Sequence, residues 1–174
     1  GIYNLPFLKN TTNIQDKTLN AIDLSGDRAY LSANFGILVI DLKKREVAET
    51  YRLDRRTMAT ALLGGSIYAA TDSGLLAAAT TDNLMDVANW KRVSLNSLDF
   101  DDQKIVGLGA FRDRLCFVAS GGGLFYRDTD GSIKTLRKQT NLRGLTVVGN
   151  RLVAYTAEAM YVFASLEGTG EAVS

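Results

Sequence analysis

Histidine is absent from the 174 residues, and cysteine occurs once. The first absence removes Ser-His-Asp and Cys-His catalysis, any histidine metal site and the usual side-chain pH switch near neutrality. The second leaves no partner for an intrachain disulfide, so Cys116, inside the apolar run RLCFVAS, reads as a small buried hydrophobe. An excess of one charge is lacking too. Twenty Lys and Arg against nineteen Asp and Glu give a formal charge of +1, so no bulk field draws the chain to nucleic acid or to an anionic membrane. No apolar run approaches the roughly 20 residues that span a bilayer. What is present is a 46% hydrophobic composition over the length of one ordinary domain, enough for a genuine core.

That apolar content is organised as a repeat. The outline of AYLSANFGI at 29–37 returns as IYAATDSGL at 67–75 and CFVASGGGL at 116–124, with a weaker fourth copy, LVAYTAEAM, at 152–160. An aromatic or apolar residue stands six positions before a small one in each copy: Tyr30 and Gly36, Tyr68 and Gly74, Phe117 and Gly123, Val153 and Ala159. From Tyr30 to Tyr68, Phe117 and Val153 the steps are 38, 49 and 36 residues, the period of four-stranded propeller blades. Turn pairs sit just upstream of each copy, at Gly26-Asp27, Gly64-Gly65, Asp113-Arg114 and Gly149-Asn150, and such residues accept the positive φ of tight hairpins. Each unit therefore reads as an antiparallel meander of strands A to D.

The run ILVI at 37–40 does not alternate, so its strand needs apolar cover on both faces. Blades stacked side by side supply that cover, and the small residues Ser32, Ala33, Ala70, Thr71, Ala119 and Ser120 let the faces approach closely. The expected fold is all-β: about four consecutive four-stranded antiparallel blades of a larger β-propeller, over residues 17–53, 54–95, 96–138 and 139–174. Residues 2–8 are expected to supply an outer strand of a preceding blade. The long second step is assigned to a helical turn from Asp82 to Asn89, with Asp82 as N-cap, before Trp90 anchors the outer strand. Four blades of a larger ring would leave two apolar faces open, so the chain is expected to pair with a second copy or to hold an open arc.

Motifs that carry chemistry are weak. Asp99, Asp101 and Asp102 could bind calcium or act as paired carboxylates, but read as a solvated loop, and Asp128 to Ser132 (DTDGS) reads as a hairpin turn rather than a calcium loop. Gly121, Gly122 and Gly123 lack the strand-to-helix context and the Lys-Ser or Lys-Thr of a phosphate-binding loop. No metal or cofactor is implied. Because strand direction alternates, the B–C turns and the links between blades fall on one rim, which collects Arg55, Arg56 and Arg143 beside Asn34, Phe35 and Asp72. These arginines are the candidate ligand-binding residues, for an anion or a glycan.

The stretches IYNLP at 2–6, DKTLNAIDLSGDRAYLSANFGILVIDLKKREVAETYRL at 16–53, SIYAATDSGLLAAA at 66–79 and DNLMDVANWKRV at 82–93 resemble the amino-terminal propeller of the PorZ family, surface proteins of the Por, or type IX, secretion system. The likeness is densest over residues 2–95. More distantly the chain is similar to the regulator propellers of hybrid two-component sensors. The resemblance implies a non-catalytic recognition module, outside the cytoplasm, in a protein with further propeller and sandwich domains. It implies envelope or secretion-system proteins as partners in attaching cargo, and contact with anionic lipopolysaccharide. Two other functions are weighed beside it: a periplasmic sensor propeller, and a propeller hydrolase or lyase. The last would need several acids converging on the channel, where strand A offers chiefly Asp23.

Overall fold

The computed structural model describes residues 15–95, 104–168 and 170–173. The expected strand at 2–8 and the acids Asp99, Asp101 and Asp102 lie outside the described residues. Among the described residues sixteen strands form four separate antiparallel sheets of four strands each, and within every sheet the spatial order follows the chain. The first holds β1 (Leu19–Ser25), β2 (Arg28–Ala33), β3 (Gly36–Asp41) and β4 (Glu46–Arg52). The second holds β5 (Thr57–Leu63), β6 (Ser66–Thr71), β7 (Gly74–Ala79) and β8 (Lys91–Val93). The third holds β9 (Ile105–Phe111), β10 (Arg114–Ala119), β11 (Leu124–Arg127) and β12 (Ile133–Arg137). The fourth holds β13 (Gly144–Val148), β14 (Arg151–Tyr155), β15 (Met160–Phe163) and β16 (Glu171–Val173). The sheets pack through their first strands, β1 on β5, β5 on β9 and β9 on β13, so these line the centre of a four-bladed propeller.

The core lies between blades. Tyr30, Ile37, Val39 and Tyr51 of the first blade close on Ile67, Ala69, Leu76 and Trp90 of the second. Ala59, Ala70 and Leu75 meet Leu108, Phe117 and Phe125, and Cys116, Val118 and Leu124 meet Leu145, Leu152 and Phe163. The strand ILVI divides as its lack of alternation requires. Ile37 and Val39 face the second blade, while Leu38 and Ile40 belong to a second cluster with Ala29, Leu31, Ala33 and Phe35 on the blade's other side. Cys116 is fully buried, and burial pushes its thiol up to about 12, which leaves it un-ionised and unreactive.

Small residues set the spacing near the axis. Ser32 of β2 and Thr60 of β5 are both buried and share a 2.7 Å hydrogen bond across the first interface. Between the third and fourth blades, a Cβ on Gly107 would stand 3.0 Å from the Leu145 nitrogen. Farther out, the Arg137 guanidinium lies 3.9 Å from the centroid of the Tyr161 ring, a cation–π contact between the same two blades.

Two local expectations are corrected. The hairpin pair of the third blade is Arg112-Asp113, at φ 51° and 55°, because Phe111 pairs with Arg114 and keeps its ring in the core. The helical turn is shorter than expected, a 3₁₀ turn over Val87–Asn89 capped by Asp86 rather than Asp82. Asn83 accepts from the Met85 amide and Asp86 from the Ala88 amide, and these local side-chain bonds break residues 82–89 into successive turns instead of one helix. Trp90 anchors as expected: it is buried, 6.0 Å from the Tyr51 ring centroid, and donates from Nε1 to the Leu84 carbonyl at 3.0 Å.

The repeated glycine has a conformational cause. Gly36, Gly74 and Gly123 sit at φ 141°, 118° and 98°, each at the turn between the second and third strands of its blade. A Cβ at Gly36 would stand 2.1 Å from the Tyr51 carbonyl oxygen, whereas at Gly74 it would meet only the end of the Arg92 side chain at 3.4 Å. Gly36→Ala should therefore cost at least about 2 kcal/mol and Gly74→Ala about 1 kcal/mol, read as the ordering of urea unfolding midpoints. Equal midpoints for the two variants would contradict the contact at Tyr51.

Candidate recognition surfaces

The two ends of the strands carry different chemistry. At one end the turns between second and third strands meet the links between blades. The Leu53 and Asp54 amides donate to the Phe35 carbonyl, the Asp72 amide to Arg56, the Gly123 amide to Gln139 and the Arg143 amide to Tyr155. Backbone pairing thus builds the rim that the alternation of strand direction calls for.

On this rim Arg55 and Arg56 are exposed in the β4–β5 link. The Arg55 guanidinium donates to the Ser73 hydroxyl, and Arg92 reaches the Ser73 carbonyl at 3.5 Å, so two guanidinium groups converge on one turn. Beside them runs a polar chain that sequence inspection missed. Asn34 donates to Asp16 at 2.6 Å, and Asn20 donates to Asn34 at 2.8 Å and to the Thr57 carbonyl at 2.8 Å. Asn34 and Thr18, with a lesser contribution from Arg56, hold the Asp16 carboxyl down to about 2. Asn34 was legible as a turn residue, but nothing in the sequence pairs it with Asp16. Arg143 is exposed in the β12–β13 link, two blades further on, and no described contact joins it to Arg55 or Arg56.

A hollow of about 420 Å³ lies on the third blade, lined by Gly121, Gly122, Gly123, Phe125, Lys138 and Gln139. It is no phosphate cradle. The Gly122 and Gly123 amides are already donated, to Ala119 and Gln139. The sequence DTDGS is a turn, as expected: the Asp128 amide donates to the Ser132 carbonyl, and the Asp128 carboxylate takes Lys134 at 2.6 Å and Arg114 at 3.1 Å. Lys134, the Thr129 amide and Arg114 together hold that carboxyl well below the usual range.

At the other end the first strands of all four blades enclose a cavity of about 640 Å³, lined by Ile22, Asp23, Leu24 and Ser25 of β1, Leu62 of β5, Ala110 of β9 and Thr146 to Gly149 at the end of β13. Asp23 is its one charged lining residue among the described residues. Burial pushes the Asp23 carboxyl up to about 6, opposed only by the Leu24 amide. A third surface is the outward side of the fourth blade, where Tyr155, Met160 and Val173 are 39%, 49% and 46% exposed, with Val148 of the cavity lining, 62% exposed, at its border. Register puts Tyr155, Met160 and Val173 in one row, with Val153 and Val162 beside each other in the next. On the corresponding side of the first blade Leu38 and Ala33 are fully buried, while Ile22 and Leu24 of β1, which share that face through their pairing with Leu31 and Ala29, are exposed.

Compared with known proteins, residues 1–91 match the family described as the type IX secretion system PorZ N-terminal beta-propeller domain. The chain belongs to that family. PorZ of Porphyromonas gingivalis, described as an essential bacterial surface component of the type-IX secretion system, is 22% identical with a TM-score of 0.71 over 98% of this chain and 28% of its own. BT4673 of B. thetaiotaomicron, a hybrid two-component system compared through its extracellular domain, is 11% identical with a TM-score of 0.61 over 92% of this chain and 22% of its own. A chain of the nidogen/laminin complex is 16% identical with a TM-score of 0.66 over 91% of this chain and 65% of its own. At these identities the structural likeness shows the propeller fold, and this PorZ-type propeller spans little more than a quarter of the PorZ chain. No curated protein matches it in sequence.

The raised Asp23 carboxyl gives the stability of this PorZ-type propeller a definite pH dependence. A group that binds its proton more tightly in the folded state favours folding at low pH, and that advantage is lost as pH rises from the unfolded value near 3.8 towards about 6. Above that window the charged carboxylate costs stability. Asp23→Asn should therefore stabilise the protein by about 1 to 2 kcal/mol at pH 7.5, allowing for solvent screening, with no gain at pH 4. Thermal unfolding at both pH values reads the difference, and a variant less stable than the parent at pH 7.5 would overturn the assignment.

Proposed function

We propose that this chain is a non-catalytic recognition module of a cell-envelope protein outside the cytoplasm, binding envelope or secretion-system proteins through the rim around Arg55 and Arg56. Family membership supports the setting, since PorZ itself is described as a surface component of the type IX system. The observation that carries the choice of surface is the convergence of Arg55 and Arg92 on the Ser73 turn, held in place by backbone pairing between blades. Side chains ordered before a partner arrives lose less entropy on binding, and guanidinium groups suit carboxylate or phosphate partners. The assisted attachment of secreted cargo, and contact with an anionic glycan such as lipopolysaccharide, follow as the finer reading of that surface.

The central cavity supports recognition over hydrolysis. Glycoside hydrolysis of the usual kind needs two carboxyl groups flanking the bond, and Asp23 stands alone among the described lining residues. A sensor role is a second reading, favoured by the fold shared with the extracellular domain of BT4673. Fold alone does not assign a task, so the rim itself must be tested.

Immobilised chain incubated with envelope extracts, with bound proteins identified by mass spectrometry, should retain secretion-system components. The Arg55→Ala/Arg56→Ala pair should lose at least about five-fold of that capture, and the captured fraction should fall with added salt. Purified anionic lipopolysaccharide added as competitor tests the glycan reading. Capture that is indifferent to the two substitutions would remove the rim from the proposal, and capture of sensor-kinase components instead would favour the second reading.

A further inference from the structure

We propose that the cavity enclosed by the four innermost strands is a binding site for an ammonium group carried on an aliphatic stem, with the charge placed on Asp23. The proposal concerns the end of the propeller opposite the arginine rim and does not depend on that rim binding anything. Three observations converge on it.

The cavity has the size of a small-ligand site, about 640 Å³ within the usual range of about 300 to 1,000 Å³. Its walls are mostly aliphatic: Ile22 and Leu24 from β1, Leu62 from β5, Val147 and Val148 from β13. Ile22 and Leu24 are 62% and 68% exposed, so these walls are open to an incoming apolar stem rather than packed on one another. One carboxylate stands among them. Asp23 has no ion-pair partner within the described residues, and the charged side chains nearest to it in sequence are engaged elsewhere, Asp27 with Lys43 at 2.7 Å and Arg28 with Glu49 at 3.5 Å.

The elements packed around Asp23 offer no compensating charge. Across the β1–β2 ladder it faces Tyr30, a neutral phenol. From β5, β9 and β13 the cavity receives Leu62, Ala110 and Thr146 to Gly149, none of them ionisable. A carboxylate kept partly dry without a cation is a cost to the empty protein, and a cation entering the cavity would remove that cost while its stem covers the aliphatic walls. Ser25 and Thr146 bring hydroxyl acceptors to the same lining for the remaining ammonium protons. A bare metal ion is poorly served, because no cluster of three or more ligating side chains exists among the described residues.

Two sources share this chemistry, a free alkylamine and the lysine side chain of a polypeptide. Hexylammonium is the probe, titrated into the whole chain while the methyl resonances of Leu62 and Val147 are followed by NMR. Saturable shifts at pH 8 with a Kd near about 1 mM are expected. Asp23→Asn should weaken binding at least about ten-fold, as should lowering the pH to 5, where the carboxyl is mostly protonated and the amine remains charged. Far-UV circular dichroism of Asp23→Asn shows whether the variant keeps its fold. Competition by Nα-acetyl-lysine methylamide would assign the lysine source, and its absence beside hexylammonium binding would assign a free amine. Equal binding of hexanol, unchanged affinity in folded Asp23→Asn, or no saturable shift up to 20-fold above the expected Kd would each overturn the proposal.

Discussion

Sheet-on-sheet burial is the constraint from which the rest of this structure follows. A four-stranded antiparallel sheet with one wet face can alternate apolar and polar residues, but a blade held between neighbours cannot. The fully buried run of Ile37, Leu38 and Val39 exists because two different surfaces must be dry at once. The same demand places Ser32 against Thr60, and Gly107 beside Leu145, where larger side chains would hold the first strands apart. It also confines chemistry between neighbouring blades to the strand ends or the axis, since the faces that meet are consumed by packing.

Much of the fold could be read from the chain because propeller blades repeat their local solutions. The glycine six residues beyond Tyr30, Tyr68 and Phe117 marks a turn at positive φ, a demand that acts on one residue and so leaves a mark at one position. Turn pairs such as Gly26-Asp27 are equally local. The errors arose where two local preferences competed. In the third blade the core position of Phe111 moved the turn one residue earlier, and in the second blade Asn83 and Asp86 side chains captured backbone amides that a longer helix would have used.

The candidate surfaces were less legible, for a physical reason. Arg55 and Arg56 were visible because the alternation of strand direction alone assigns a link to a rim. Their neighbours Ser73 and Arg92 come from two other elements, and no spacing rule brings a guanidinium from β8 to a turn before β7. Arg143 shows the limit of the same reasoning, since sharing a rim does not mean sharing a site. Asp23 was noticed only as an acid that a hydrolase might use. Its distinction is that no other described residue lining the cavity is charged, a property of four separate strands taken together.

One asymmetry bears on how copies of this propeller can meet. The fourth blade ends in an open apolar face, whereas the matching side of the first blade is buried at Ala33 and Leu38 and open only along β1, at Ile22 and Leu24. Head-to-tail growth needs two complementary surfaces on every subunit, and among the described residues these two differ in how much apolar area they leave open. That mismatch disfavours end-to-end stacking of copies, since the broad face of one blade would meet only a narrow apolar edge on the next.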